Sequence, residues 1–387
     1  MDLKEKLQRL EERRGESSAE WMTKLQNGAQ GDANEEILRL AEALANADET
    51  MSEEIIDLVG SLEHYKPYES IGDIPFFSTG LESVSDTVVK IFDRIIAFIK
   101  RWIKVLADAD FKLSLHTALH SHSLENIRTR MRATTRPYRD NPRFQVTTRI
   151  PNLSVNYRPI STAVALINAL TILRTVANSY FDTHSDKVLG QVRQVMEGVA
   201  QQRSADYIAN LMNAASPLNI AQEAIFRPQD MHVESPHLLG NHRFVITNTN
   251  AAAASSTDRV QGVRVKLEPS QLTPTEAPAV VNFEYFDNNM MEALLLKCDD
   301  ILRILANSNN GPHRHSRRQG MQGLLSAVER VNEEVQRNGL LDEEGARRVV
   351  AVLESYISWI ADPYTSFYAY TLRNVRAALN VCEANIA

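Results

Sequence analysis

The sequence predicts a mainly α-helical (α+β) protein: a helical bundle with a small antiparallel β insertion, behind an acidic helical N-terminal arm. Three observations predict it. Apolar residues recur at three- and four-residue steps through Val84–Leu106, through Ser161–Phe181 and again beyond Asn288, which is the period of an amphipathic helix. Between Pro217 and Phe286 the pattern turns to alternation, interrupted by proline-rich and alanine-rich stretches, the sign of short strands and loops. Up to residue 80, acidic residues outnumber basic ones by about two to one, leaving a slightly basic remainder in a chain of net charge −7.

At 387 residues the chain suits two domains, or one domain with an insertion. Residues 1–63 read as short, heavily charged helices marked by Leu3, Leu7 and Leu10, by Ile37 to Leu44 and by Ile55 to Leu62. Each is marginal alone, and the arm is either a solvated appendage or a removable segment. Residues 64–80 contain Pro67, Gly72, Pro75 and Gly80, so they form an extended linker. Thr79 and Glu82 are a candidate capping box for the helix that follows.

A helical domain is expected over 81–216. In its first helix Val88, Ile91, Phe92, Ile95, Ile99, Trp102 and Leu106 form one face, and Asp86, Lys90, Asp93, Arg94, Lys100, Arg101 and Lys104 form the other. Such a face packs in a bundle or lies on a membrane surface; alternating charge signs favour the bundle. Helix continues from Phe111 to Met131, and a basic, arginine-rich segment follows over 126–150. Phe144–Ile150 and Leu153–Tyr157 alternate as a hairpin or two edge strands would. Ser161–Phe181 is apolar nearly all round and is expected at the centre, and Asp186–Ala214 forms one or two helices.

The β-containing insertion spans 217–286, with strands at His242–Thr247, Val260–Leu267 and Val280–Phe286, joined by the strands near Phe144. Ala251–Asp258 and the run holding Pro269, Pro274 and Pro278 read as loops. Over 287–387 helices return and are expected to pack on the helical domain. Gly311–Arg318 reads as a basic loop, Gly339 stops one helix, Asp342 caps the next and Asp362-Pro363 ends it. No run is long and apolar enough to suggest a membrane span.

Candidate chemistry is sparse. Cys298 and Cys382 show no metal or disulfide spacing and fall on apolar helix faces, which fits a reducing compartment. His116 and His120 in HTALHSH stand one helical turn apart, the spacing of two metal ligands. No glutamate lies between them, and Glu125 is the nearest third ligand, so polar-face histidines are the plainer reading. No phosphate loop, dinucleotide fingerprint or nucleophile elbow occurs. The expectation is no catalytic residues, no metal and no cofactor. Arg128, Arg130, Arg132, Arg136, Arg139 and Arg143, with Arg149 beyond, are the candidate nucleic-acid-binding residues, because guanidinium groups fork onto phosphates. Alternatively some of them pair with the acidic arm.

The run from Tyr65 to Leu106, with its aromatic-proline linker, FFSTGLESV and FDRIIAFIKRWIKVL, resembles the internal virion proteins of giant tailed bacteriophages, and the closing helix YAYTLRNVRAALNVCEA is similar in character. The resemblance implies a non-enzymatic virion structural protein, made in the host cytoplasm and packed inside the head or on the inner capsid face. It implies contacts with other virion proteins, with phage DNA and with its own copies. Some such proteins are trimmed after glutamate in a small-x-Glu context. Ser61-Leu62-Glu63 fits that context and would release the arm at Glu63; Ser18-Ala19-Glu20, Gly80-Leu81-Glu82 and Ser123-Leu124-Glu125 fit it too. The alternative function is a nucleic-acid-binding protein acting through 128–149, and a third is a metal-dependent enzyme using His116 and His120.

Overall fold

From Val84 to Ala133 the chain holds no proline or glycine, and its apolar stripe is obeyed throughout. α1 runs unbroken over Val84–Ala133, about 75 Å of helix at the usual rise. The computed structural model describes residues 84–133, 143–147, 153–218, 227–229, 232–270, 280–309, 312–338, 343–361 and 363–386. The arm over 1–63, the linker over 64–80, Glu63, the Thr79/Glu82 cap, Arg136, Arg139, Arg149, Gly339 and Asp342 lie outside the described residues.

α1 is the spine. Val88, Phe92, Ile95 and Ile99 are fully buried along it, and four later helices pack against it: α6 (Asn288–Asn309), α7 (Pro312–Asn338), α8 (Glu343–Ala361) and α9 (Tyr364–Ile386). The expectation of a loop at Gly311–Arg318 is corrected. Pro312 opens α7, a position where its missing N–H costs nothing and its fixed φ suits a helix. α8 ends at Ala361 and α9 starts at Tyr364, as Asp362-Pro363 requires.

α2 (Ala163–Asn178), a π-helical turn (Ser179–His184) and α3 (Ser185–Ala200) form one continuous helical run. Thr162 caps it by accepting the Ala165 N–H at 3.3 Å. By length and composition alone this run of 38 residues would cross a membrane, contrary to the expectation of no such segment. Half of its apolar window is buried inside the protein. Leu166, Leu170, Leu173 and Val176 are fully enclosed, and α2 packs on α6. Thr171, Thr175 and Ser179 each donate a hydroxyl to the carbonyl four residues back, a pattern that loosens a helix. The π turn follows, and it lets Tyr180, Phe181 and His184 all face inward. Phe181 stacks on Phe367 of α9 with centroids 5.3 Å apart, and Tyr180 meets the same ring edge-on at 5.6 Å. α4 (Ala205–Asn213) completes this half of the molecule.

Among the described residues the strands form three small antiparallel sheets. β4 (Arg227–Gln229), β5 (His232–Glu234), β6 (His242–Asn248) and β7 (Val263–Pro269) make the largest, in sequence order. Val260 is corrected from strand to helix. It belongs to the short α5 (Ser256–Gln261), capped by Ser255, which also replaces the end of the expected Ala251–Asp258 loop. β2 (Ser154–Val155) and β3 (Arg158–Pro159) pair only with each other. β1 (Arg143–Thr147) forms no hairpin with 153–157, the first of the two arrangements the alternation allows; as expected of the strands near Phe144, it joins the 217–286 segment. It pairs with β8 (Val280–Glu284), with Phe144 opposite Phe283 and Val146 opposite Val281. Aromatic packing selects that remote partner: Phe144 lies 4.9 Å from the ring of Tyr285 and 5.9 Å from that of Phe283.

The turn between β5 and β6 joins sheet to bundle. Gly240 adopts φ +90° and Asn241 φ +63°. Asn241 donates to the Ser154 hydroxyl at 2.7 Å and accepts the Tyr157 N–H at 2.7 Å, which ties the β2–β3 hairpin to the turn. Tyr370 of α9 donates to the Leu239 carbonyl from the other side.

Candidate functional site

The arginine-rich segment starts on the last turns of α1. Arg128 leaves only 13% of its side chain exposed, donates to Glu125 at 2.5 Å and lies 3.2 Å from Glu292 at the start of α6. It clasps two helices. Arg130 and Arg132, near the end of α1, are exposed. Arg143 starts β1 and sits 3.6 Å from Glu284 on its pairing strand, both side chains largely in solvent, where an ion pair contributes little. The described arginines thus divide: Arg128 serves the bundle, and Arg130, Arg132 and Arg143 face outward.

The histidine pair lies elsewhere than its pattern suggested. His116 is 3% exposed, so it is a core residue and not a polar-face one. His120 is half-buried; burial, then Arg376 and His116, hold its pKa well below the ordinary value, so the ring is neutral at pH 7. Ser123, one turn on, receives a bond from Arg376 at 3.2 Å and lies 3.4 Å from Glu383. Glu125, the nearest carboxylate in sequence, is engaged with Arg128. Among the described residues no three His, Cys, Asp or Glu side chains converge as metal ligands. Cys298 and Cys382 are buried and form no disulfide, and burial lifts the Cys298 thiol to about 12, so it is inert at neutral pH.

A buried ion pair lies in the span where composition predicts a loop. Arg317 on α7 is 3% exposed and faces Asp110 of α1, 1% exposed, at 3.6 Å. Its guanidinium donates to the Ser308 carbonyl at 3.0 Å and to the Tyr364 hydroxyl at 2.9 Å, and it stacks over the Tyr364 ring at 3.8 Å. Asn309 donates to the Asp110 carbonyl and to Ser114, each at 2.7 Å. Tyr368 lies 2.7 Å from Thr117 and donates to the Leu305 carbonyl at 3.0 Å. Burial pushes the Tyr364 hydroxyl up to about 12, so it stays protonated. Four helices, α1, α6, α7 and α9, meet through this one network. A signal for it exists in the sequence: Arg317, Met321, Leu324, Val328, Val331 and Val335 follow four-three spacing, and all six are buried. Arg317 occupies a seam position that an apolar residue would ordinarily hold.

His184 is the second buried titratable centre. It is 2% exposed and stacks on Tyr180 at 5.7 Å. Burial lowers its pKa from 6.5 to about 4, with the Trp359 backbone raising it and Lys187 lowering it more weakly. The unfolded chain therefore binds the extra proton below pH 6.5 while the folded chain refuses it. Stability is complete above that pH and falls as pH drops towards 4, by roughly 3 kcal/mol from this residue. Burial also lowers His242. Urea midpoints measured from pH 7 to pH 4.5 are expected to fall steadily, and His184→Phe is expected to flatten much of that slope. An unchanged slope contradicts the assignment.

Arg317, Asp110, Asn309 and Tyr368 thus fix helix against helix along one spine. A family model for phiKZ-like phage internal head proteins matches residues 68–384, and the chain belongs to that family. It is a structural protein of the bacteriophage head interior. The match begins inside the expected linker, shortly after Glu63. No curated protein and no solved structure matches the chain.

Proposed function

We propose that the protein is a non-enzymatic architectural component that is packed within the head, binds other head proteins and touches the genome through its arginine-rich edge. The observation that carries the first part is the Arg317–Asp110 network: the most buried charges link helices and leave Arg317 bonded to Ser308 and Tyr364. Self-association and the absence of a membrane span belong to the same reading, as does assembly from a cytoplasmic pool. In this reading residues 1–63 are an arm released at Glu63, 64–80 is a linker, and 217–286 is an insertion between the helices of 81–216 and 287–387. A family match that starts at residue 68 supports setting the arm apart from the rest.

The genome contact rests on Arg130, Arg132 and Arg143, which face solvent, together with Arg136 and Arg139. Arg128 is left out because Glu125 and Glu292 hold it. Binding of the full chain to duplex DNA across a salt series tests this. The triple change Arg130→Ala, Arg136→Ala, Arg143→Ala is expected to weaken binding equally on unrelated sequences and to reduce the salt slope by about three. Unaltered affinity and slope would remove DNA from the list of partners.

A further inference from the structure

The side of α2 that turns away from the bundle is apolar without being buried. Val164, Ala165, Asn168, Thr171, Ile172 and Thr175 fall within a sector of about 120° on this helix. The first three are exposed and the last three half-buried, with Val164 at 54%. None of the six is charged. Thr171 and Thr175 donate their hydroxyls to carbonyls of α2 itself, so each adds a methyl group to the surface rather than an open donor. The single charged residue of α2, Arg174, lies outside the sector and is taken up by Asp300 of α6 at 3.1 Å. At the rim Leu296 of α6 is 51% exposed, and the carboxylates one turn to either side of it are paired, Glu292 with Arg128 and Asp300 with Arg174. A nucleic acid finds no open cation on the helix.

We propose that this face pairs with the same face of a second copy of the chain, antiparallel, about a two-fold axis at Asn168. The pattern reads alike from both ends: positions 164 and 172, and 165 and 171, are symmetric about residue 168. Pairing therefore sets Val164 against Ile172 of the second copy, Ala165 against its Thr171, and Asn168 against Asn168. Branched side chain meets branched, small meets small, and each amide donates to the carbonyl of the other. Such a contact is isologous, the form that two identical chains adopt about a two-fold axis. An unrelated partner has no use for that symmetry; self-pairing does. An amide within an apolar helix seam also fixes the register, at some loss of affinity. The face is about 17 Å long, so one helix pair buries only a fraction of the roughly 800 Å² per partner of a stable complex. The dimer is accordingly weak, micromolar or weaker, and forms where chains are crowded. This inference rests on the self-association included in the reading above and gives it a surface.

Sedimentation velocity of the full chain, from low micromolar towards millimolar concentration, tests it. A reversible monomer–dimer equilibrium is expected. Asn168→Asp and Asn168→Lys each set like charges face to face on the axis, and each alone should weaken dimerisation at least about ten-fold. An equal mixture of the two variants should regain the dimer, because opposite charges then meet. Residue 168 is exposed, so both variants should keep the wild-type circular dichroism. A benzophenone carried on Asn168→Cys adds a readout without a charge and should couple to α2 of the second copy. A chain that is monomeric at every concentration overturns this proposal and the self-association reading together. A dimer indifferent to both charged variants, or a mixture no better than either, overturns the face and leaves self-association standing. Coupling of the benzophenone to residues 1–63, or flotation of the chain with phosphatidylcholine vesicles, gives the face to that segment or to lipid and overturns the proposal as well.

Discussion

Replacing Arg317 alone by methionine is expected to cost about 3–5 kcal/mol of folding stability, one of the largest losses any single exchange in this protein should produce. The cause is the charge left behind. Asp110 is 1% exposed and cannot regain water when its partner leaves. Ser308 loses its guanidinium donor in the same step, and so does the Tyr364 hydroxyl. The complementary change Asp110→Leu is expected to cost a similar amount. Together the two should cost far less than their sum, because an apolar pair of similar volume removes the stranded charge. Urea unfolding of the two single variants and the double variant measures this. Additive losses would mean that the two residues do not act as a pair. If the double variant regains stability but its helices pack less uniquely, the buried pair is a register lock for α1 against α7. Loss of dispersion in the amide spectrum would report that outcome.

Gly240→Ala is expected to cost roughly 2–4 kcal/mol. Gly240 holds φ +90°, and an added Cβ would lie 2.8 Å from Asn374 Oδ1 and 3.3 Å from the Tyr370 ring. Both neighbours belong to α9 and neither is loose: Asn374 donates to the Tyr370 carbonyl at 2.9 Å, and the Tyr370 hydroxyl holds the Leu239 carbonyl. The backbone N–H of Gly240 also donates to the Ser154 carbonyl at 2.9 Å. The substitution should therefore loosen the turn, the β2–β3 hairpin and their seat on α9 together. A lowered urea midpoint with early exchange of the Gly240-position amide is the expected result. A wild-type midpoint would show that the turn adapts without α9.

The helices were legible in the sequence because each has a long periodic face. α1 was readable from Val88 to Leu106, and α9 from Phe367 to Leu379, since a 3.6-residue period over many turns has few competing explanations. Strand pairing was harder. Phe144 and Val146 announced a buried strand face, but nothing near them names Phe283 and Val281 as partners. Only the three-dimensional meeting of Phe144 with Tyr285 decides that pairing. The π turn was hidden because Tyr180 and Phe181 break the helical period locally, and neighbouring rings become co-facial only once the helix widens. The burial of Arg317 is hidden in the sequence for a chemical reason. HRHSRR looks solvated by composition, and the inward turn of Arg317 follows from the seam that continues through Met321 rather than from its own neighbours. The arginine edge is legible as charge but not as geometry: Arg128 is held by Glu125 of its own helix and by Glu292 of another, and no local pattern names the second.

The central claim is that this chain is building material of the head interior. Quantitative mass spectrometry of purified particles, intact and opened, tests it most directly. The account predicts a fixed ratio of this chain to the shell protein, protection from added protease until the head is opened, and a first residue after Glu63. A chain abundant in the infected cell but missing from purified heads, or digested while the heads are still closed, contradicts it.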